Sequence, residues 1–312
     1  MRKQVAKKTY IIGHKSPDTD TICSAIAYAE YLKKKGKRVI AARAGKINPE
    51  TTFVLNYFKV KTPKLLSDVK GKRLILLDHN EKIQSPNNIE KAEIVEVIDH
   101  HKIKFEYKET IFFHTEPIGS TSTLIAKKYL KDKKIKLKKE IAGILLGAIL
   151  SDTVVFRSPT TTKEDIEIAK RLAKIVKIKN LEEFGIEIKK KKASLKGLST
   201  KYIIFSDFKE YRFGRKKIGI GQVEICGLKE VQNRKQEILK QLKESAKKEN
   251  YDLLLFMATD IIKKGSELLF WEKENYIEKA FRKKPKNNSI YLKGVISRKK
   301  QVLPLLLKLF SK

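Results

Sequence analysis

Gly13-His14-Lys15-Ser16-Pro17-Asp18-Thr19-Asp20-Thr21-Ile22 is the stretch from which the fold is read. Ahead of it, Tyr10-Ile11-Ile12 is a β-branched and aromatic run, which reads as a buried strand. Behind it, Ile22, Ala25, Ile26, Ala29 and Leu32 recur at helical spacing, with Gly36 as the stop. His14, Asp18 and Asp20 therefore belong to the junction of a strand with a helix. In an open α/β sheet that junction lies at the carboxyl edge of the strands, where ligands bind. One imidazole and two carboxylates on so short a loop can converge on a point. Asp is also a common helix cap, and on this stretch alone capping explains Asp18 or Asp20 equally well.

Length and composition bound the rest. A chain of 312 residues is expected to form two domains. Its hydrophobic content of 41% supports ordinary cores and excludes a disordered chain. No apolar run reaches the ~18 residues of a membrane span, so no membrane partner is expected. Met1-Arg2-Lys3-Gln4-Val5 leads straight towards the first strand and leaves no room for a signal peptide. Cys23 and Cys226 are far apart, and Cys23 falls within an apolar helical pattern. These features fit a reduced, cytoplasmic protein without disulfides.

The formal net charge of +34, from 70 Lys and Arg against 36 Asp and Glu, invites a nucleic-acid reading. The lysines, however, are spread along the whole chain. Their densest run is Lys189 to Lys192, and no aromatic-studded RNA-binding motif accompanies it. Solvated lysines and no specific nucleic-acid partner are the expectation, with a general attraction for anions.

Up to about residue 180 strand-like and helix-like segments alternate. Arg38 to Ala41, Arg73 to His79 and Ile94 to His101 read as strands, the last two as continuous apolar runs of the kind buried on both faces of a parallel sheet. Thr51 to Phe58, a segment opened by Gly119-Ser120-Thr121-Ser122-Thr123, Lys138 to Leu150, Lys163 to Val176 and Leu181 to Lys192 read as helices. A first domain over residues 1–189, a linker over 190–197 and a smaller α/β domain over 198–312 are expected. In the latter, Tyr202 to Phe208, Ile218 to Ile225, Leu253 to Met257, Glu267 to Trp271 and Ile290 to Leu292 are expected strands. Glu230 to Lys248, Tyr276 to Phe281 and a segment opened by Ser297 are expected helices.

Asp20, Asp78, Asp99 and Asp152 each follow or abut an apolar segment, and His14, His79, His100 and His101 lie close to aspartates in sequence. Carboxylates crowded at one sheet edge repel one another unless a cation neutralises them. Two imidazoles and four carboxylates suit two divalent ions. Nitrogen and oxygen donors without thiolate favour Mn²⁺, Mg²⁺ or a similar ion over structural zinc. Two such ions ~3.5–4 Å apart form a template for in-line phosphoryl displacement.

The His14-to-Asp20 loop, Asp78-His79-Asn80, Asp99-His100-His101 and Ser151-Asp152 resemble the four motifs of DHH phosphoesterases. Gly119 to Thr123, Ala142-Gly143-Ile144-Leu145 and the closing Ser297-Arg298-Lys299-Lys300-Gln301 make the chain similar to family II, manganese-dependent inorganic pyrophosphatases over nearly its whole length. Ser16, where that family often has Asn, and the basic charge are departures that leave the motifs intact.

The resemblance implies an α/β fold, with an N-terminal parallel-sheet domain carrying helices on both faces and a smaller C-terminal α/β domain. It implies hydrolysis of inorganic pyrophosphate to two phosphates by a metal-bridged hydroxide in a cleft between the domains. His14, Asp18 and Asp78 would hold one ion; Asp20, Asp78, His100 and Asp152 would hold the other, with Asp78 bridging. Two Mn²⁺ per subunit are implied, with Co²⁺ or Mg²⁺ as substitutes and further Mg²⁺ arriving with the substrate. His101 would face the substrate as donor or general acid, and Lys209, Arg298 and Lys299 would bind its oxygens. Asp99 is a candidate to orient a histidine, and His79 is either packing or part of the site. A homodimer is implied.

The basic set fits this chemistry, because pyrophosphate carries three to four negative charges and its transition state spreads charge over the equatorial oxygens. Cations at the start of the last helix oppose its dipole, which favours a bound anion there. The competing reading is another DHH enzyme, an exopolyphosphatase or a small-oligonucleotide phosphodiesterase. Against the latter, no Gly-rich RNA-binding motif is visible after Lys189.

Overall fold

The computed structural model describes residues 8–192 and 195–310. The chain divides into two compact units, residues 1–192 and 193–312. The first unit contains, in order, β1 (Thr9–Ile12), α1 (Thr19–Lys34), β2 (Val39–Arg43), α2 (Pro49–Tyr57), β3 (Lys64–Leu65), β4 (Arg73–Leu77), β5 (Glu93–Asp99) and β6 (Phe112–Thr115). Four helices follow: α3 (Thr121–Lys131), α4 (Lys139–Asp152), α5 (Lys163–Val176) and α6 (Leu181–Lys192).

The six strands form a parallel arrangement in the order β3-β2-β1-β4-β5-β6. The chain steps outward from β1 to β3, then returns to lay β4 on the other side of β1. The order therefore reverses between β1 and β4. The loops leaving their carboxyl ends diverge there and open a crevice.

The strands are apolar without alternation because both faces of the sheet are covered. Ile11, Ile75, Leu77 and Ile98 pack against the helices. Central among these is α4, buried continuously from Ile141 to Ser151. A Cβ on its Gly143 would stand 2.2 Å from a ring carbon of Phe58, so glycine is what lets the end of α2 lie against α4. The opposite face, with Ile12, Leu74, Leu76 and Val97, is covered by Ile89 of a single 3-10 turn, Ile89–Lys91, and by Phe105 and Tyr107. The short outer strands β3 and β6 have no counterpart in the sequence reading.

The second unit contains α7 (Thr200–Phe205), β7 (Phe208–Phe213), β8 (Lys216–Ile225), α8 (Lys229–Asn233), α9 (Lys235–Lys248), β9 (Leu253–Asp260), β10 (Gly265–Glu272), α10 (Tyr276–Phe281) and β11 (Ser289–Lys293). A π-helical turn, Arg298–Val302, then leads into α11 (Leu303–Phe310). Its sheet runs β11-β10-β9-β8-β7, with β8 and β9 parallel and the other pairs antiparallel. One face packs on α7 and α9 through Ile203, Ile204, Ile238 and Leu242, the other on α10 and α11 through Ile277 and Leu306.

Three readings are corrected here. Tyr202 to Phe208 is not a strand. Ser199 caps a helix there by accepting from the Tyr202 amide at 3.2 Å, and the strand begins only at Phe208. The β-branched pair Ile203-Ile204 is buried against the sheet from that helix, so packing overrides strand propensity. The expected helix Glu230 to Lys248 is broken at Arg234, whose guanidinium donates to Leu198 O at 2.8 Å and to Thr200 Oγ1 at 2.6 Å. Residues 190–192, expected as linker, are the last turn of α6. Of the other expected linker residues, Ala193 and Ser194 lie outside the described residues, and Leu195 is buried in the second unit's core.

Candidate metal centre

The loop after β1 and the residue after β4 enter the crevice together. A Cβ on Gly13 would meet the Thr21 methyl at 2.2 Å and Leu77 O at 3.0 Å, so glycine allows β1 to leave the sheet hard against the end of β4. Asp78, the first residue past β4, has φ of +61°. This left-handed conformation costs most side chains and is best tolerated by Asn and Asp. Its Oδ2 accepts from Thr21 Oγ1 at 2.6 Å, and its Oδ1 accepts from Thr121 Oγ1 at 3.0 Å. The same two oxygens face two different imidazoles. Oδ2 is 3.7 Å from His14 Nε2, and Oδ1 is 3.5 Å from His100 Nε2.

Asp18 both caps a helix and joins the cluster. Its Oδ1 accepts from the Thr21 amide at 2.9 Å, while Oδ2 lies 3.6 Å from His14 Nε2. Asp20, in the first turn of α1, buries its carboxylate against the start of α3. Its Oδ1 accepts from Ser120 Oγ and the Ser122 amide, and its Oδ2 from the Thr121 amide at 2.6 Å. The amino terminus of a helix is a favourable place for a carboxylate. That cradle is pinned by Asp165, which accepts from the Gly119 amide and Thr123 Oγ1.

His100 supplies the test of whether a cation fits. Its Nδ1 pairs with Ile118 O at 2.9 Å. A carbonyl only accepts, so Nδ1 carries the proton, and in the neutral ring Nε2 presents a lone pair. Nε2 is buried and makes no hydrogen bond, although Asp152 Oδ2 stands 3.3 Å away and Asp78 Oδ1 3.5 Å away. Such spacings are too long and misaligned for hydrogen bonds. They suit donors that share one first-row ion, which holds each at roughly 2.0–2.2 Å, as zinc does. Ligand atoms of His14, Asp18 and Asp78 lie within 4.8 Å of one another, as do those of Asp20, His100 and Asp152; Asp78 also groups with His100 and His101. The donor set therefore fits divalent ions of the manganese type.

The electrostatics of the metal-free chain point the same way. Burial, followed by the Asp78 charge, raises Asp20 to about 7. Burial and the nearby aspartates raise Asp152 well above the usual carboxylate range. Burial opposes the charge on His100, but Asp78 outweighs it and lifts the imidazole to about 10. Burial likewise opposes ionisation of Asp18, and the His14 hydrogen bond holds it well below its ordinary value. Protons thus fill part of the role of a cation. Binding a metal must expel them. Mn²⁺ affinity is therefore expected to rise from pH 6 to pH 8, with proton release visible by calorimetry in two buffers of different ionisation enthalpy. An affinity flat across that range contradicts this.

Around the cluster, Asp99 accepts from the backbone amides of His100 and His101, from Asn80 Nδ2 at 2.6 Å and from His101 Nδ1 at 2.8 Å. The Asp99 hydrogen bond raises His101 above its ordinary value and leaves Nε2 as its free ring nitrogen. His79 has both nitrogens engaged, with Leu77 O at 3.0 Å and Ser85 Oγ at 3.1 Å, and lends neither to the cluster. Burial keeps it neutral.

Lys209, Arg298 and Lys299 are in the second unit. Lys209 is exposed on the outer strand β7, opposite Ile220 of β8. Arg298 Nη1 donates to Ile220 O at 3.1 Å, so the two side chains belong to one edge of that sheet. Lys299 is exposed on the π turn. Gln301 braces that turn, accepting from the Ile296 and Ser297 amides and donating to Gly294 O. Sequence reasoning gave Thr21, Ser120, Thr121 and Asp207 no role of their own, although Ser120 and Thr121 lie within the Gly119-to-Thr123 motif. The Ser/Thr run at a helix start was the one signal available for the cradle.

Residues 8–149 match the model of the DHH family, N-terminal domain, and residues 186–309 that of the DHHA2 domain. The chain is 49% identical to the manganese-dependent inorganic pyrophosphatase of Methanocaldococcus jannaschii, over 95% of this chain and 97% of that one. It is 44% identical to the probable manganese-dependent inorganic pyrophosphatase of Clostridium acetobutylicum, over 95% and 96%. A crystal structure of a putative family II inorganic pyrophosphatase from Methanococcus jannaschii is similar at a TM-score of 0.65 and 48% identity, covering 97% of this chain and all of that one. An exopolyphosphatase-related protein from Bacteroides fragilis, at a TM-score of 0.52 and 17% identity over 99% of this chain and 95% of that one, shares the fold.

Proposed function

The chain belongs to the family II, manganese-dependent inorganic pyrophosphatases, and from that membership we infer that it hydrolyses inorganic pyrophosphate to two phosphates. The observation that carries the reading is Asp78, whose two oxygens face Nε2 of His14 and Nε2 of His100 from a strained backbone. We assign His14, Asp18 and Asp78 to one Mn²⁺ and Asp20, Asp78, His100 and Asp152 to a second, with Asp78 shared. When bound, two such ions supply Lewis-acid charge and make water acidic enough to serve as a nucleophile near neutral pH.

The chain's own groups do the rest. Thr21 and Thr121 fix the Asp78 carboxylate. The amides of α3 fix Asp20, and the Ile118 carbonyl fixes the His100 tautomer. Asp99 raises the hold of His101 on a proton, the proton that His101 would give to the departing phosphate. Lys209, Arg298 and Lys299 neutralise phosphate oxygens, Arg298 as a planar fork and the lysines as compact charges.

A homodimer is part of the same reading; the outer edge of β6, with Phe112 exposed on it, is suited to strand pairing. A cytoplasmic location is proposed with it, on a chain whose two cysteines, Cys23 and Cys226, lie far apart in sequence. Among the described residues no helix is long and apolar enough to cross a membrane. The test is phosphate release from pyrophosphate, with Mn²⁺ and with Mg²⁺ alone, beside a dinucleotide and a long polyphosphate. Pyrophosphate is expected to turn over fastest, and faster with Mn²⁺. Faster turnover of either other substrate contradicts the reading.

A further inference from the structure

Arg298 is held more tightly than a surface cation needs to be. Its side chain is 11% exposed. Nη1 donates to Asp207 O at 2.6 Å and to Ile220 O at 3.1 Å, and Nη2 donates to Asp207 Oδ1 at 2.8 Å. A guanidinium has five N–H donors. Both donors of Nη1 and one of Nη2 are thereby used. Because Nη1 and Nη2 both reach Asp207, that residue covers the end of the fork. The two remaining N–H groups, on Nε and Nη2, lie side by side along its flank, and among the described residues no acceptor takes them. A flank of two parallel N–H groups is what a phosphate takes in bidentate fashion.

We propose that Asp207 is a positioning residue for substrate binding. It grips the end of the Arg298 fork so that the flank is presented to a pyrophosphate oxygen pair. The proposal rests on the assignment of Arg298 to substrate. The placement of Asp207 supports it. Asp207 lies two residues before Lys209, and its carbonyl accepts from both Arg298 and the Gln222 amide at 2.9 Å. The second carbonyl on Nη1 belongs to Ile220, the register partner of Lys209. The two cations are thus indexed to the same pair of strands. Stability alone does not account for the carboxylate. It is 58% exposed, and ion pairs with an exposed partner are worth little.

The side chain can be removed while the backbone carbonyl stays, which makes the test direct. Asp207→Ala is expected to raise the KM for pyrophosphate about tenfold, the scale of one hydrogen bond to a charged group, with kcat within about twofold. Asp207→Asn keeps an acceptor oxygen at the same place and is expected to return KM to within about threefold of the parent. In an Arg298→Ala background, Asp207→Ala is expected to add nothing, because its effect runs through the guanidinium. A thermal melt of each variant checks the fold. An unchanged or lowered KM in Asp207→Ala overturns the proposal, as does a loss that persists in full without Arg298. If Arg298→Ala itself leaves kcat/KM intact, the assignment of Arg298 to substrate has failed instead.

Discussion

Asp78→Asn is expected to lower kcat by about a thousandfold or more, the several kcal/mol that metal-centred charge stabilisation supplies. The replacement is chosen to spare the fold. Asp78 sits at φ +61°, and Asn is the residue that most readily replaces Asp there. Volume is conserved; one of the Thr21 and Thr121 hydroxyls keeps an oxygen, and the other, which can also accept, meets the amide NH2. What is lost is one charge and one of the two oxygens facing the histidines. Melting separates this from unfolding. Without metal, burial and carboxylate crowding already raise Asp20 and Asp152, and removing the Asp78 charge relieves that repulsion. The same charge supports the His100 imidazolium, so the two effects oppose each other and the metal-free variant should melt close to the metal-free parent. The parent should gain stability on adding Mn²⁺, as any ligand of the native state confers, and the variant should gain much less. Near-parental turnover at saturating Mn²⁺ contradicts a shared Asp78.

Arg298→Ala is expected to lower kcat/KM about a hundredfold, the scale seen when one preorganised donor to developing negative charge is removed, while Mn²⁺ affinity stays within about twofold. The separation follows from the chain itself. The proposed metal ligands fall between His14 and Asp152, in the first unit, and Arg298 is in the second. It touches Asp207 and Ile220 of its own unit. Its loss should act on the substrate's charge, which appears in kcat/KM and not in the metal isotherm. A fall in metal affinity in step with activity contradicts the division of labour.

The clustering of His14, Asp78, His100 and Asp152 was legible because they sit at or just past apolar segments, where a carboxylate or imidazole has no packing reason to be, and Asp18 and Asp20 share the loop of His14. The reversal of strand order between β1 and β4 turns that pattern into a crevice. The parallel sheet was legible for the same reason: Leu74 to Leu77 serve two faces in turn and so show no alternation. Other features depend on partners remote in sequence. Ile203 and Ile204 carry a strand-like composition, but the sheet they cover and the Ser199 cap make them helical. The break at Arg234 answers to Leu198 and Thr200, more than thirty residues earlier. The Asp20 cradle lies a hundred residues from Asp20, and the Asp207–Arg298 pair is separated by 91. The sequence left His79 open between packing and the site, and only the structure shows both its nitrogens engaged, by Leu77 and Ser85.

The central claim is a pair of ions sharing one carboxylate, and electron paramagnetic resonance of the Mn²⁺-loaded chain tests it most directly. Titrating the metal-free protein should saturate at two Mn²⁺ per chain, with the signal of the isolated ion giving way to that of a magnetically coupled pair as the second binds. In Asp78→Asn the coupled signal should be lost. Saturation at one ion per chain, or two ions that remain magnetically independent in the parent protein, would contradict the account.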